Sequence, residues 1–475
     1  MTKSDRPPRW MRCTRQSPMD ALRSLASMNP SIGSSAAKRN MPIHERRENG
    51  SDLVTRREIL AWCFFDFANS SFAILILTLG YSVYFVQVVA AKSDYNPEQL
   101  WSWGYACSMF MVALCAPILG ATADATATKK RWLALCTALC IVSTASLFFV
   151  VPGDIWFGLV VFGLANIGFD LGFMLYSAFL VEISTRSNMG RISGYGWAFG
   201  YLGGLLSLAL AYPLLKGGLG TENLVNYRLS FVLTALFFVI ASLPTFLYLK
   251  ERAIPTTLVA ERSVWSIGFQ RLRRTYGEIT RFKELFKYLI AYLIYTDGIN
   301  TVILFAGIFA SRVLEFTPSE LIVYFLIVQI SAGVGAYVFG GIVDRFGPRQ
   351  TIMATLIIWV GISVGAYFVQ TTAQFYVLGL IAGAALGSNQ SASRTLIGYF
   401  TPRDKVGEFF GFFSVSGKFA AMIGPLIYGQ ITAVVGSQRP AALAMAGFFL
   451  TGLAILWTVR EQDGIHAATH TSTER

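Results

Sequence analysis

Histidine is nearly absent from this 475-residue chain: His44, His466 and His470 are the only three, and all lie in its polar ends. No membrane-buried step can therefore use an imidazole. Charge is scarce too. Only 14% of the residues are Asp, Glu, Lys or Arg, where a soluble domain carries roughly a quarter. The six cysteines (Cys13, Cys63, Cys107, Cys115, Cys136 and Cys140) form no C-x-x-C. All but Cys13 lie in apolar runs and read as small packing residues, not as metal ligands or disulfides. Residues 1–57 contain no apolar h-region, which argues against a secretory signal; the Arg/Ser-rich stretch reads as a disordered basic tail. Nucleotide loops are missing as well. Gly411-Phe-Phe-Ser-Val-Ser-Gly417-Lys418 has its glycines one residue too far apart for a phosphate loop, and Phe419 stands where a magnesium-holding Ser or Thr belongs. Gly194-Tyr195-Gly196 follows no strand. No cofactor and no metal site is expected, and an enzyme is a poor reading.

Long apolar runs are what the chain has instead. Hydrophobic residues make up 54%, in runs of about 20 residues or more, each enough to cross a hydrocarbon core of about 30 Å as a helix. Six spans are expected near 59–90, 101–122, 132–151, 154–183, 191–215 and 228–249, and six more near 285–311, 319–343, 350–370, 373–397, 407–434 and 440–459. The domain reading follows: a tail at 1–57, a six-helix bundle at 58–249, a linker at 250–284, a second bundle at 285–460 and a disordered tail at 461–475. In the linker, Trp265, Phe269, Leu272 and Tyr276 recur at helical spacing among basic residues, which suggests an amphipathic helix on the membrane surface. The net charge of +12 is concentrated in the tail, the linker and the loops on one side, which include Lys129, Lys130, Arg131, Arg186, Arg191, Arg345, Arg349, Arg403 and Lys405. Such placement argues for a membrane face and against nucleic acid. By the positive-inside rule it puts both termini in the cytoplasm, and an even number of spans agrees by placing both on one side. A multi-pass protein of a bacterial inner membrane is the expectation, or of a vacuolar or other endomembrane in a eukaryote. It is expected to be monomeric in the bilayer.

The halves repeat. Asp66-Phe-Ala-Asn69-Ser70 in span 1 matches Asp297-Gly-Ile-Asn300-Thr301 in span 7, both D-x-x-N-[ST]. Gly120-Ala-Thr-Ala-Asp124 followed by Lys129-Lys130-Arg131 matches Gly340-Gly-Ile-Val-Asp344-Arg345-Phe-Gly347-Pro-Arg349. Gly190-Arg-Ile-Ser-Gly194 matches Gly407-Glu-Phe-Phe-Gly411. The three matches fall in the same order on either side of the linker. That is the parallel repeat of a two-bundle transporter, with a site between the halves.

Gly340 to Arg349 resembles the signature loop of the major facilitator superfamily. Within it, the chain resembles the branch of autophagy-related vacuolar amino-acid effluxers and their bacterial relatives. The residues that carry this are Phe65 to Ser70, Gly194 to Gly204, Tyr295 to Gly298, Asn389 to Arg394, Glu408 to Gly411 and Gly424-Pro425. The resemblance covers about 58–460. It implies an all-α membrane protein of twelve helices in two pseudo-symmetric six-helix bundles, working as a secondary transporter of a small polar solute. Amino acids come first and efflux is preferred. Departures exist: the first signature loop lacks an Arg after Asp124 and has Ala127-Thr128 where Gly-Arg is common, which implies a weaker N-terminal gate.

Ionisable groups inside spans usually face a cavity or a partner. The candidates for a substrate or ion cavity are Asp66, Asn69, Asp170, Asp297, Asn300, Asn389, Gln390 and Lys418. Asp66 or Asp297 either takes a coupling proton or a substrate ammonium group, or serves as a buried structural partner. Lys418 either neutralises Asp297 or holds a substrate carboxylate. Asp124, Lys130, Arg131, Asp344, Arg345, Arg349 and Arg394 are candidates for a cytoplasmic gate, with Arg394 also able to belong to the cavity. By family analogy Asp124 should face the start of span 11 near Gly407, and Asp344 that of span 5 near Gly190. The competing class is a membrane receptor or scaffold that keeps the fold and moves nothing.

Overall fold

The computed structural model describes residues 53–253, 270, 273, 281–420 and 423–470. Nearly all of the expected N-terminal tail and most of the amphipathic linker lie outside these residues. Among the described residues the chain is helical throughout. The first half comprises α1 (Arg56–Phe72, prolonged by π turns to Val89), α2 (Pro97–Thr126), α3 (Lys129–Ser146), α4 (Ile155–Ala178, then Leu180–Ile183), α5 (Met189–Leu215) and α6 (Leu224–Tyr248). The second comprises α7 (Lys283–Val313), α8 (Pro318–Phe346), α9 (Pro348–Phe368), α10 (Thr372–Phe400), α11 in two pieces (Val406–Phe419 and Ile423–Val435) and α12 (Gln438–Thr458).

Eleven of these are long and apolar enough to cross a membrane. The helix left out is α10. It has 29 residues, but its second half reads Gly-Ser-Asn-Gln-Ser-Ala-Ser-Arg-Thr. The polarity has a physical reason: residues 387–389 and 391–400 are all buried, against protein and not lipid. Elsewhere large apolar side chains point outward, such as Trp156 at 68%, Leu426 at 69% and Trp457 at 70% exposure. A soluble protein would not leave such a girdle open.

Equivalent helices pack alike. In the first half α3 packs on α4 and α6, α1 on α6, and α2 on α4; in the second α9 packs on α10 and α12, α7 on α12, and α8 on α10. The halves meet chiefly through two further pairs, α5 with α8 and α2 with the first piece of α11, and also through α5 with α10 and α4 with the first piece of α11. These contacts concentrate at the end where Lys130, Arg191, Arg349 and Lys405 lie, called the basic side below. There the backbones nearly touch. A Cβ added at Gly407 would lie 2.7 Å from the Gly120 carbonyl oxygen, and one at Gly340 2.8 Å from that of Gly190. Only glycine permits so close a crossing. The basic side is closed.

The expected span 407–434 is found as Val406–Val435, described in two helical pieces: Val406–Phe419, after which Ala420 leaves the helical region at φ −79° and ψ 75°, and Ile423–Val435. One expectation needs correction. The C-terminal tail is not disordered from 461. Glu461–His470 forms a short helix, α13, whose Gly464 sits against the Phe400 ring and whose Ile465 and Ala468 are buried. Glu461 and Asp463 occupy its first turn, where acidic groups favour the helix dipole.

Candidate functional site

A cavity of about 210 Å³ lies between the halves, lined from α4, α5, α7, α10 and the first piece of α11. Trp197, Tyr292, Phe410 and Phe413 give it aromatic walls; Asn300, Asn389, Gln390 and Lys418 are among its polar lining. Arg394 also faces it. The remaining cavity candidates, Asp66, Asn69, Asp170 and Asp297, are buried but do not line it.

Three of those acids stand behind the walls, each with its own partner. Asp66 on α1 accepts from Arg394 Nη1 on α10 at 3.1 Å and from the Tyr176 hydroxyl at 2.9 Å. Arg394 is 2% exposed and is held by Ser193 Oγ and the Ser193 carbonyl at 3.1 and 2.8 Å. Its guanidinium lies 5.0 Å from the Trp62 ring and 5.1 Å from that of Trp197, an arrangement that favours a desolvated cation. The ion pair joins the two halves, so Arg394 belongs to the cavity wall and not to the solvent end of the gate.

The second pair also crosses the halves: Lys418 Nζ donates to Asp170 on α4. Lys418 does not neutralise Asp297, which corrects one of its two sequence readings. The carboxylate of Asp297 is engaged elsewhere. Its Oδ2 accepts from the backbone N–H groups of Ile423 and Gly424 at 3.1 and 3.0 Å, while Asn300 Nδ2 donates to the Ala420 carbonyl at 2.6 Å. The D-x-x-N pair of α7 thus holds the end of the first piece of α11 and the start of the second, supplying partners to backbone groups that helix ends leave bare. Asp297 is 1% exposed, and its Oδ1 has no hydrogen-bond partner among the described residues. A buried carboxylate without a cation is costly; the positive end of the resumed helix offsets part of that.

At the basic side Asp344 Oδ1 accepts from Gly190 N at 2.7 Å, and Oδ2 from Arg191 N at 3.2 Å and Arg191 Nε at 2.9 Å. Its counterpart Asp124 accepts from Glu408 N at 3.1 Å and lies 3.5 Å from the fully buried Lys129 Nζ, which is shared with Glu182 at 2.5 Å. Both acids therefore sit at the helix starts expected for them. Arg394 apart, the other gate candidates do not bridge the halves among the described residues. Lys130 Nζ donates to the Leu249 carbonyl, closing the end of α6, and Arg349 donates to the Leu456 and Trp457 carbonyls, closing the end of α12. Arg131 and Arg345 are exposed.

Sequence reading missed several members of this network. Glu58 accepts from Lys250 N at 3.1 Å and pairs with both Arg252 amino groups. Glu284, its counterpart on α7, accepts from Arg460 N at 2.7 Å. Glu251 takes the Lys129 and Lys130 N–H groups at the start of α3, and Glu461 takes that of Arg349 at the start of α9. Burial pushes both Glu251 and Glu461 above the usual carboxylate range, and these N–H groups act against it. The signal was available: Glu58 and Glu284 occupy matched first turns of the repeat.

Two helical halves, a polar cavity between them and acids seated on partner-helix starts at one end define a transporter of the major facilitator superfamily. Solved structures agree on the fold. The human organic anion transporter MFSD10 (TETRAN) superposes with a TM-score of 0.65 at 16% identity, covering 88% of this chain and all of that one. The proton:xylose symporter XylE gives 0.66 at 16% identity, over 88% of this chain and 98% of that one. The family model described as "Vacuole effluxer Atg22 like" matches residues 181–469, and the chain belongs to that family. An MFS-type transporter of Bacillus subtilis, YxiO, is 28% identical over 85% of this chain and 94% of its own length. Autophagy-related protein 22 of Yarrowia lipolytica is 26% identical over 65% of this chain; the match spans 57% of that protein.

Proposed function

We propose that this transporter moves a small zwitterionic metabolite, amino acids first, by alternating access, exporting it with a proton as the coupling ion. The observation that carries the reading is the chemistry of the cavity wall. Lys418 and Arg394 face the space while their acids, Asp170 and Asp66, stand behind them. A carboxylate entering the cavity meets cations, not anions. An ammonium group meets the Gln390 and Asn389 amides and the Trp197 and Tyr292 rings. At about 210 Å³ the space is smaller than the roughly 300–1,000 Å³ typical of drug-sized ligands. Substrate carboxylate displacing Asp170 from Lys418 couples binding to a contact between the halves. Asp297, the one of the three acids without a cationic partner among the described residues, is the site for the coupling proton. With the basic side cytoplasmic, the arrangement is closed inward, and opening the Asp344 and Asp124 contacts exposes the cavity to the cytoplasm.

The test is flux in liposomes containing the purified full chain, screened with labelled amino acids, sugars and organic anions, with and without a pH gradient. Amino-acid flux that responds to the gradient and is lost in Lys418→Ala, with that variant still folded and monodisperse, supports the proposal. Normal flux in Lys418→Ala removes the carboxylate role. Saturable ligand binding with no flux under any gradient would turn the reading to a receptor.

A further inference from the structure

A second and larger cavity has no place in the transport path. It is a groove of about 1,000 Å³ between α1, α5 and α8, none of whose lining residues lines the central cavity. Its floor is apolar, with Leu60 from α1, Phe199 and Leu202 from α5, and Ile330 and Val334 from α8. Several of these are open to the outside of the bundle: Leu60 is 47% exposed, and Leu202 and Val334 are each 58% exposed. Polar groups gather at the basic end, where Arg56, Asn188 and Arg191 line it. Along α5 the lining runs from Arg191 to Leu205, about 21 Å at 1.5 Å per residue. One leaflet's hydrocarbon is about 15 Å deep, half of a core of about 30 Å, with the headgroup layer beyond it.

We infer that this groove binds one anionic phospholipid from the leaflet on the basic side, its phosphate between Arg56 and Arg191 and its acyl chains along α5 and α8. Length, orientation and charge all specify that occupant. A zwitterionic lipid would fill the same apolar floor but bring its own cation to two arginines. A free phosphate would have no use for the floor.

The site also has a consequence for the gate. Arg191 is fixed by Asp344, since its Nε and backbone N–H both donate to that carboxylate. The guanidinium that meets the lipid is thus the one that holds α5 to α8. Arg56 and Arg191 come from the first half, and Ile330 and Val334 from the second. A lipid seated here touches both halves and stabilises the state closed at the basic side, because separating them divides the groove.

Native mass spectrometry of the full chain, titrated with phosphatidylglycerol and with phosphatidylcholine of identical acyl chains, tests this. At about 1 kcal/mol per arginine near an anionic headgroup, one retained phosphatidylglycerol with a preference of about 30-fold is expected. Arg56→Gln, which leaves the gate and cavity untouched, should cut the preference by about fivefold. Val334→Trp should abolish retention of either lipid by obstructing the acyl path along α8, and glycerol phosphate without acyl chains should not bind. Equal retention of the two lipids overturns the proposal, as does phosphatidylglycerol binding unchanged in both variants. A lipid-free dimer in place of a lipid-bound monomer would show that a second copy covers the groove and would overturn it as well.

Discussion

Replacing Asp344 with Asn tests whether its contact with α5 is a gate or a mere topogenic charge. The asparagine keeps the shape and one carbonyl oxygen, so Gly190 N–H retains an acceptor. What is lost is charge. The Arg191 ion pair counts for little, because the arginine side chain is 54% exposed and such pairs contribute about 0–1 kcal/mol. The interaction of the carboxylate with the positive start of α5 contributes about 0.3–1 kcal/mol. Two backbone N–H groups, at 2.7 and 3.2 Å, exchange an ionised acceptor for a neutral one, weakening bonds of about 1.5–3 kcal/mol toward 0.5–1.5. Taken together a loss of about 2 kcal/mol is reasonable, or roughly a 30-fold shift in the ratio of basic-side-open to basic-side-closed molecules. Spin labels at Ser187 and Gln350, both exposed and on opposite halves, would read it as a longer-distance population in a background without native cysteines. A distance distribution unchanged from wild type refutes the gate reading; a shift toward greater closure would reverse its sign.

Three further outcomes follow from the same contacts. Arg394→Gln leaves Asp66 buried with the Tyr176 hydroxyl as its main remaining partner, and should cost about 3–5 kcal/mol of stability; thermal unfolding in detergent should show most of it restored when Asp66→Asn is added. Asp297→Asn keeps an oxygen for the Ile423 and Gly424 N–H groups but no titratable proton, so gradient-driven accumulation should fall by at least tenfold while exchange of labelled for unlabelled substrate persists; equal loss of both would make Asp297 a structural clamp alone. Gly407→Val forces a side chain against the Gly120 carbonyl, where even a Cβ lies 2.7 Å away, and an overpacking strain of about 1–3 kcal/mol should favour the basic-side-open state; faster alkylation of a cysteine placed at Ser414, which lines the cavity, from that side would register it.

The spans were legible because hydropathy reports depth; the seats of Asp344 on the start of α5 and of Asp124 on the start of α11 were legible only through the family resemblance, since the repeat pairs the two acids with each other but does not say which helix each one faces. Azimuth was not legible. Lys418 and Asp297 lie at similar depth, but depth does not say which way a side chain points, and Lys418 turns to Asp170 on the opposite half. The departure of Ala420 from the helix was hidden for a related reason. Phe419 to Ile423 is apolar without interruption, and hydropathy is blind to a backbone that leaves its ladder when a neighbouring helix supplies substitute partners. α13 was unreadable because a ten-residue polar segment gains its order from Phe400, far away in sequence.

The electrostatic contacts fall into two sets, and the division bears on how the molecule moves. Contacts within a half recur in the other half. Glu58 and Glu284 each take the N–H that follows the last helix of their bundle. Lys130 and Arg349 each close the carbonyl end of that helix, and Glu251 and Glu461 each seat the start of the third helix. Each bundle is thereby stitched from its first helix to its last by the same three devices. Contacts between the halves do not recur so faithfully. Asp344 uses a half-exposed arginine where Asp124 uses a buried lysine shared with Glu182, and neither Asp66–Arg394 nor Asp170–Lys418 has a mirror image among the described residues. A duplicated protein whose internal stitches are kept and whose cross-contacts have diverged is one in which the bundles are the rigid units.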